Sequence, residues 1–245
     1  MSTPPVLSVD RLSKNFRGLA AIADVSFAIE PGSITSIIGP NGAGKSTLFN
    51  LVTGYLAPSA GEIAFQGRRI TGMATNRIAE LGICRAFQIA RPFRELSVFD
   101  NVHIGALFGK AGPRDVAVTT RRGMELAAIG HLAEQPASTL TVGQLRHLEV
   151  ARAIATRGDL LLADEPCAGL NPTETASMIE VLRQIRASGV TVLLVEHDMP
   201  SVMEISDRLL VLDAGRLIAD GPPHEVATNP QVIAAYLGTP DAAGA

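Results

Sequence analysis

The sequence predicts an α/β fold with a parallel sheet at its centre, and three observations support this prediction. First, a short apolar run at Ser33–Ile38 leads through a glycine-rich loop into a helical stretch at Lys45–Thr53. Second, the runs Leu160–Ala163 and Val190–Val195 are apolar except for Thr191, which is typical of strands buried in a parallel sheet. Third, the stretch Thr173–Ala187 between them is predicted to be helical. Strands and helices that alternate in this way indicate an α/β core.

The regions around this core are predicted to differ from it. Three short runs separated by turns predict a small antiparallel sheet near the N-terminus, and they are Val6–Val9, Val25–Ile29 and Glu62–Phe65. Ile83–Phe87 is a further strand candidate, and the runs Leu209–Leu212 and Leu217–Ile218 flank a turn and predict a hairpin. From about residue 97 to residue 155 the helical period dominates, with an exposed turn expected at Gly109–Pro113.

These elements predict one domain over residues 6–238, followed by a short tail at 239–245. Residues 6–96 and 156–238 would form the α/β core with the N-terminal β subdomain, and residues 97–155 would form an inserted helical subdomain. The chain has 245 residues, of which 47% are hydrophobic, and this suffices for a core of that size.

The composition argues against several classes of function. The net charge is −3 and the 21 lysines and arginines are dispersed, so we expect no nucleic-acid partner. Cys84 and Cys167 fit no metal or redox spacing and are expected to be reduced core thiols. No signal peptide is expected, and every apolar run is far shorter than the ~20 residues that span a bilayer. Any membrane role is therefore expected to come through a partner.

One segment carries the phosphate-binding loop pattern G-x-x-x-x-G-K-[ST]. It consists of Gly39, Pro40, Asn41, Gly42, Ala43, Gly44, Lys45, Ser46 and Thr47. The glycines let the backbone curl so that its N–H groups point at an anion, which would lie at a helix N-terminus. Lys45 would reach the β- and γ-phosphates, and the Ser46 hydroxyl would hold Mg²⁺. The loop predicts nucleotide binding and leaves kinase, GTPase and ATPase open.

The apolar run Leu160–Ala163 ends on two adjacent carboxylates, Asp164 and Glu165. Strand alternation sends them in different directions, so one can hold Mg²⁺ through water while the other orients and deprotonates an attacking water. An acidic turn after a core strand is the alternative, and the phosphate loop in the same chain argues against it. We therefore assign the metal to Asp164, together with Ser46, and the role of general base to Glu165.

Further short motifs lie around these two in a fixed order. They are Phe16, Gln88, the segment Leu140-Thr141-Val142-Gly143-Gln144, the segment Ala168-Gly169-Leu170-Asn171, and His197. With them the sequence resembles the ATP-binding subunits of ABC transporters over nearly its whole length. Residues 140–144 are similar to the family's signature, usually L-S-G-G-Q, and residues 168–171 to its D-loop. The resemblance implies a P-loop NTPase (RecA-like) core with an N-terminal antiparallel β subdomain and an inserted α-helical subdomain.

The resemblance also implies a role for each motif. Phe16 would stack on adenine, and Gln88, the Q-loop residue, would contact Mg²⁺ or the attacking water. His197, the switch histidine, would hydrogen-bond the γ-phosphate and hold Glu165 in place. The signature and D-loop would complete the ATP site of the opposite subunit, through Thr141, Val142, Gly143, Gln144 and Asn171. ATP and Mg²⁺ are the implied cofactors, and a second ATP-binding subunit, identical or homologous, is the implied partner.

Three positions depart from the family's pattern. Val142 replaces a glycine, Phe16 replaces the commoner tyrosine, and Asn171 replaces the usual aspartate. A β-branched residue stiffens the signature, whereas phenylalanine can still stack without a hydroxyl. We expect ATPase activity to survive these changes with an altered rate.

Longer stretches narrow the resemblance to the ATP-binding subunits of branched-chain amino acid importers. They are Gly82–Phe93, Leu96–Val102, Ala168–Thr175 and Asn229–Gly238. The implied protein is a peripheral subunit on the cytoplasmic face of the cell membrane that powers import of branched-chain amino acids. Its partners would be transmembrane permease subunits and, indirectly, a solute-binding protein. The alternatives are an importer of urea, amides or aromatic acids, a lipopolysaccharide exporter, a non-transport ABC ATPase, and a scaffold that binds ATP without hydrolysing it.

The segment Ile89–Phe99 interleaves apolar and charged side chains in an unusual way for a surface stretch. One interpretation is a groove turned towards the permease, with Ile89, Pro92, Phe93 and Phe99 as its apolar centre. The other is an ordinary linker whose aromatic rings are buried.

Overall fold

The structure is a computed structural model, and it describes residues 4–88, 91–110 and 115–237. Two β-sheets form the framework of this part of the chain. The strands are β1 (Leu7–Phe16), β2 (Leu19–Ile29), β3 (Ile34–Ile38), β4 (Ala60–Phe65), β5 (Arg68–Arg69), β6 (Ile83–Ala86), β7 (Leu160–Asp164), β8 (Thr191–Val195), β9 (Arg208–Asp213) and β10 (Arg216–Gly221). The helices are α1 (Lys45–Val52), α2 (Thr75–Leu81), α3 (Val98–Leu107), α4 (Val116–Leu126), α5 (Val142–Ala155), α6 (Pro172–Ala187), α7 (Met199–Ile205), α8 (Pro223–Val226) and α9 (Pro230–Leu237).

The larger sheet has six strands in the order β10-β9-β3-β8-β7-β6. Strands β9, β3, β8, β7 and β6 run parallel to their neighbours, and β10 returns antiparallel to β9 as the predicted hairpin. Every residue of β3, β7 and β8 is buried, which explains why most of their residues are apolar. The α/β prediction is confirmed. Because the strands are parallel, the loops that follow β3, β7 and β8 meet at one edge of the sheet.

The smaller sheet is antiparallel, in the order β2-β1-β4-β5, and confirms the predicted N-terminal sheet. Its first two strands are longer than predicted, since β1 continues to Phe16 and β2 begins at Leu19. The added halves are largely exposed and irregular in register, and Arg11 and Asp24 within them have φ values of 44° and 56°. They lack the apolar alternation by which a strand is found in a sequence.

Helices α3, α4 and α5 account for most of the described residues between 97 and 155, and two short 3₁₀ helices, Gly130–Leu132 and Ala137–Thr139, lie between α4 and α5. The β pairing found among the described residues there is an isolated bridge between Ser97 and Pro136. The backbones of α3 and α5 approach closely, because a Cβ at Gly105 would lie 2.5 Å from the Arg152 carbonyl oxygen. Buried side chains of these helices share one hydrophobic cluster with residues of β6, β7 and α6. Of the predicted turn at Gly109–Pro113, Gly109 has a φ of 101°, and residues 111–113 lie outside the described residues.

Several predicted boundaries need correction. The strand predicted at Ile83–Phe87 ends at Ala86, and the helix predicted at Lys45–Thr53 ends at Val52. Gly54, with a φ of 74°, follows that helix as the expected stop. The sequence did not predict the short elements α2, α7, α8, α9 and β5, which offer too few turns or residues for a periodic signal.

The two cysteines are free and buried, as expected for core thiols. Among the described residues, no helix has the length and apolar character needed to cross a membrane. Residues 238–245, which include the whole predicted tail, lie outside the described residues.

Candidate active site

The phosphate loop joins β3 to α1 and is tightly packed on its outer side. A Cβ at Gly39 would lie 2.0 Å from the Leu212 carbonyl oxygen, and a Cβ at Gly44 would lie 2.6 Å from the Ala21 carbonyl oxygen. At Gly42 a Cβ would meet nothing within 4 Å, but φ is 83°. Packing therefore requires glycine at positions 39 and 44, whereas at position 42 the backbone conformation favours it.

Helix α1 begins at this loop with its N-terminal N–H groups available. Gly44, its N-cap residue, provides no side-chain hydrogen bond, and the first turn contains no acidic residue. The first N–H groups of a helix need acceptors, and the helix dipole favours an anion there. The exposed Ser46 lies in the same turn. This arrangement is suited to a phosphate group.

Lys45 lies across the loop. Its Nζ donates to the carbonyl oxygens of Gly39 and Pro40, at 2.6 and 3.0 Å. Burial lowers the pKa of Lys45, while the nearby carboxylates of Glu165 and Asp164 act in the opposite direction. The lysine is thus fixed beside the loop, close enough to Glu165 and Asp164 for their charges to act on its ammonium group.

Those two carboxylates have different surroundings. Asp164, the last residue of β7, is buried, and the Arg85 guanidinium donates to its Oδ2 at 2.6 Å. Glu165 has a φ of 49°, which directs it away from the strand, and its N–H donates to the Val195 carbonyl at 2.9 Å. Its carboxylate accepts a hydrogen bond from Gln88 Nε2 at 2.5 Å. Two residues predicted from separate motifs, Gln88 and Glu165, are therefore in direct contact.

His197 follows β8 at the same edge of the sheet, and its side chain is 62% exposed. Its neighbour Glu196 is only 1% exposed and accepts hydrogen bonds from the N–H groups of Cys167, at 2.8 Å, and His197, at 3.2 Å. Burial raises the pKa of Glu196, and these two backbone bonds partly oppose the increase. One buried carboxylate thus joins the backbone at the switch histidine to the segment after Glu165.

The signature and D-loop residues cap two helices. Thr141 and Gln144 form a reciprocal capping box at the start of α5, and Asn171 and Glu174 form another at the start of α6. The two boxes touch, because a Cβ at Gly143 would lie 2.6 Å from Glu174 Oε1. Asparagine and aspartate are equally good N-caps, so Asn171 preserves the local structure. Val142 begins α5 with its side chain 57% exposed.

Phe16 lies near the end of the β1–β2 hairpin with its ring 42% exposed, and Lys14 Nζ lies 5.1 Å from the ring centroid. The partner strand β2 carries Ala21 past Gly44 of the phosphate loop. The hairpin therefore packs beside the loop with an aromatic face open to solvent.

Within the segment 89–99, Phe93 is 50% exposed and the Arg152 guanidinium carbon lies 5.7 Å from its ring centroid. Phe99 is placed differently from the prediction: it packs on the hydrophobic cluster of the helices and stacks on His103. Helix α3 begins at Val98 and turns Phe99 inwards, so Phe99 does not belong to an exposed groove. Ile89 lies outside the described residues.

Sequence reasoning missed three charged residues at this site: Arg85, Arg146 and Glu196. Arg146 of α5 donates to the carbonyl oxygens of Gln88 and, at 3.2 Å, Ala168, and so joins the signature helix to both neighbouring loops. Two of these residues had a signal in the sequence. Arg85 is a charged residue inside the short strand at 83–86, and Glu196 directly follows the apolar run that ends at Val195. Arg146 has no such signal.

A glycine loop at a helix N-terminus, with a buried lysine and paired carboxylates at the edge of a parallel sheet, defines a P-loop nucleotide-binding protein. The ABC transporter family matches residues 22–168, and the branched-chain amino acid ATP-binding cassette transporter family matches residues 216–242. The chain belongs to the ABC transporter family as an ATP-binding subunit, and it is an ATPase of that family.

Similar proteins cover nearly the whole chain. The high-affinity branched-chain amino acid transport ATP-binding protein BraF of Pseudomonas aeruginosa is 40% identical, over 96% of this chain and 98% of that protein. The corresponding protein LivG of Escherichia coli is also 40% identical, with the same coverage. A crystal structure of the ADP conformation of an ATP-binding cassette of an ABC transporter superposes with a TM-score of 0.88 at 30% identity, over 97% of this chain and all of that chain.

Proposed function

We propose that this ATPase powers the transport of branched-chain amino acids across the cell membrane. The main support for the catalytic part of this proposal is the hydrogen bond between Gln88 and Glu165, which lies beside the buried Asp164 and the phosphate loop. The relatives named for branched-chain amino acid transport support its substrate.

In the proposed reaction the loop N–H groups and Lys45 bind the β- and γ-phosphates. Glu165 takes a proton from the attacking water, and Gln88 holds that carboxylate in position. His197, exposed at the same edge, would reach the γ-phosphate, and Phe16 would stack on the adenine.

The donor set fits Mg²⁺. Ser46 offers an exposed hydroxyl, and Asp164 Oδ1 has no hydrogen-bond donor among the described residues. In that part of the chain no group of three or more His, Cys, Asp or Glu side chains could hold a metal. Mg²⁺ keeps several waters and binds through one or two protein ligands plus phosphate oxygens, which matches this sparse set. When bound, it neutralises charge that develops on the phosphates.

We further propose that the signature and D-loop serve a second ATP-binding subunit. The starts of α5 and α6 are capped by the side chains of Thr141 and Gln144 and by that of Asn171, respectively. These caps hold the signature backbone in a fixed shape. Thr141 and Val142 are exposed at that N-terminal turn, whereas Gly143 is buried beside Glu174. A γ-phosphate from another chain would bind at this turn. Two ATP molecules would then join two subunits, identical or homologous.

The proposed partners in the membrane are permease subunits, and the chain would lie at the cytoplasmic face as a peripheral protein, with a solute-binding protein as an indirect partner. Phe93 supports this interface, since half of its ring is exposed beside Arg152 and close in sequence to Gln88. An exposed aromatic ring with a charged rim is typical of a protein interface.

The test combines assembly and activity. Phe93→Ala should weaken capture by the co-expressed permease and uncouple ATP hydrolysis from transport, while the free subunit keeps its basal ATPase. Val118→Ala on α4, where the side chain is 57% exposed, is the matched control. Unchanged capture by Phe93→Ala would contradict the interface. In the assembled transporter, stimulation of ATPase by leucine, urea or benzoate through the binding protein would decide the solute.

A further inference from the structure

The charged side chain inside strand β6 forms the most deeply buried ion pair in the described part of the chain. The side chains of Arg85 and Asp164 are 9% and 6% exposed, and Arg85 NH2 lies 2.6 Å from Asp164 Oδ2. The other ion pairs there have at least one partner that is more than 20% exposed. Burying two charges costs desolvation free energy that their attraction often does not recover, so stability alone does not explain this pair.

The guanidinium joins three elements at the nucleotide edge. It extends from β6 to Asp164 on β7 and, through NH1, to Asn50 Oδ1 on α1 at 2.7 Å. Its buried Nε has no hydrogen-bond partner among the described residues. The Arg85 side chain is therefore oriented so that it binds Asp164 and Asn50, even though its Nε–H is left without an acceptor. Asn50 lies on the helix that begins at the phosphate loop, so Arg85 ties the loop's helix to the carboxylate.

Aromatic rings hold the guanidinium in this orientation. Its central carbon lies 4.8 Å from the ring centroid of Phe87, 5.6 Å from that of Phe49 and 6.0 Å from that of Tyr55. Phe87 and Tyr55 also meet edge to face, with 5.9 Å between centroids. Cation–π contacts of this kind restrict a guanidinium without taking up its N–H groups. Phe87 directly precedes Gln88, so the Q-loop and Arg85 share one packing unit.

We propose that Arg85 is a positioning residue that fixes the Asp164 carboxylate so that Oδ1 faces the metal of the bound nucleotide. The proposal rests on the proposed function, in which Asp164 helps to hold Mg²⁺. Partners that hydrogen-bond a ligating carboxylate fix its orientation, and their loss typically lowers metal affinity about 10- to 100-fold. Arginine is needed because its planar fork binds Asp164 and Asn50 at once, whereas an ammonium group is a point charge.

The experiment measures metal binding separately from catalysis. Mn²⁺ is titrated into the full chain with a non-hydrolysable ATP analogue, and free Mn²⁺ is followed by electron paramagnetic resonance. Arg85→Lys keeps the charge and should weaken Mn²⁺ binding about 10-fold or more. Asn50→Ala keeps Arg85 itself and should give a smaller loss in the same direction. Affinity for the analogue in EDTA should stay within about twofold of wild type for both, as expected if the loss is confined to the metal site.

Two further variants separate the outcomes. Arg77→Lys changes an exposed ion pair with Glu80 and should leave Mn²⁺ binding unchanged. Asp164→Asn should weaken Mn²⁺ binding at least as much as Arg85→Lys. If Asp164→Asn weakens it and neither Arg85→Lys nor Asn50→Ala does, the positioning role is overturned and the proposed function stands. If Asp164→Asn has no effect, the assignment of Asp164 to the metal fails, and this inference fails with it. An equal loss of analogue affinity in EDTA would reduce Arg85 to a purely structural residue.

Discussion

The edge of the sheet that carries Glu165 and the start of helix α5 that carries the signature are built in opposite ways. At the sheet edge the predicted groups meet within the chain, since Gln88 binds Glu165 and Lys45 lies close enough to the carboxylates for their charges to act on it. At the signature, the side chains of Thr141 and Gln144 each accept a hydrogen bond from the backbone N–H of the other residue, and the first helical residue, Val142, is exposed. The sheet edge thus brings its predicted groups together within one chain, whereas the signature offers the capped start of a helix. This difference supports the proposal that the signature acts on a nucleotide held by another chain.

Arg146 is the physical connection between the two regions. Its guanidinium extends from α5 to the carbonyl oxygens of Gln88 and Ala168. These hydrogen bonds connect the signature helix directly to the Q-loop and to the segment after Glu165.

Substitution of the proposed general base should have the largest effect. Glu165→Gln keeps the shape of the side chain and removes its basicity, so steady-state ATPase should fall about 10²- to 10⁴-fold. ATP binding should survive, and an ATP-bound dimer should accumulate in size-exclusion chromatography. Glu134→Gln, at an exposed position, is the control. Wild-type turnover in the Glu165 variant would refute its assignment as the base.

Loss of the loop lysine should affect nucleotide binding directly. Lys45→Ala removes a charged donor to the phosphates, and hydrogen bonds to charged groups contribute about 1.5–3 kcal/mol. ATP affinity of the isolated subunit, measured by calorimetry, should fall about 10- to 100-fold. If affinity is unchanged, the catalytic edge does not bind ATP by itself, and the comparison between the two regions loses its basis.

A signature substitution should separate the two regions most clearly. In Gly143→Ala the new Cβ would lie 2.6 Å from Glu174 Oε1, so the flexible Glu174 side chain must move, with a capping loss of at most ~1 kcal/mol. The isolated chain should bind ATP as wild type does, whereas ATP-dependent dimerisation, tested in the Glu165→Gln background, should be lost. Gly130→Ala, where a Cβ meets nothing within 4 Å, is the matched control. Weaker ATP binding by the single chain would place the signature in its own site.

The smallest effect concerns pH and the buried carboxylate beside His197. Burial raises the pKa of Glu196 above its usual value of 4.5, so the folded chain binds this proton more tightly than the unfolded chain does. Stability contributed by this group therefore falls as pH rises from about 4.5 through the raised pKa. Glu196→Gln cannot ionise, so its free energy of unfolding relative to wild type should increase over that interval. Denaturant unfolding across a pH series measures this, and a constant difference would show that burial does not affect the group.

Burial and regularity of the backbone explain which elements could be predicted from the sequence. The strands β3, β7 and β8 were recognised because they are buried on both faces, and such strands consist mostly of apolar residues. The outer halves of β1 and β2 were missed because they are irregular and exposed. Phe99 was misplaced because charged residues such as Glu95 and Asp100 lie close to it in the sequence, and only the start of α3 at Val98 turns it inwards. The roles assigned to the individual site residues, and the division into subdomains, stay predictions.

The sequence by itself determined the α/β class, the phosphate loop, the acidic pair and the family, because each depends on residues adjacent in the chain. The pattern from Gly39 to Thr47 needs only a strand before it and a helix after it. Tertiary structure alone decided which side chains share a hydrogen bond across separate strands. The pairing of β6 with β7 brings Arg85 to Asp164 from 79 residues away, and the folded edge brings Gln88 to Glu165 from 77 residues away. Contacts over such distances depend on register and burial, which local patterns do not specify.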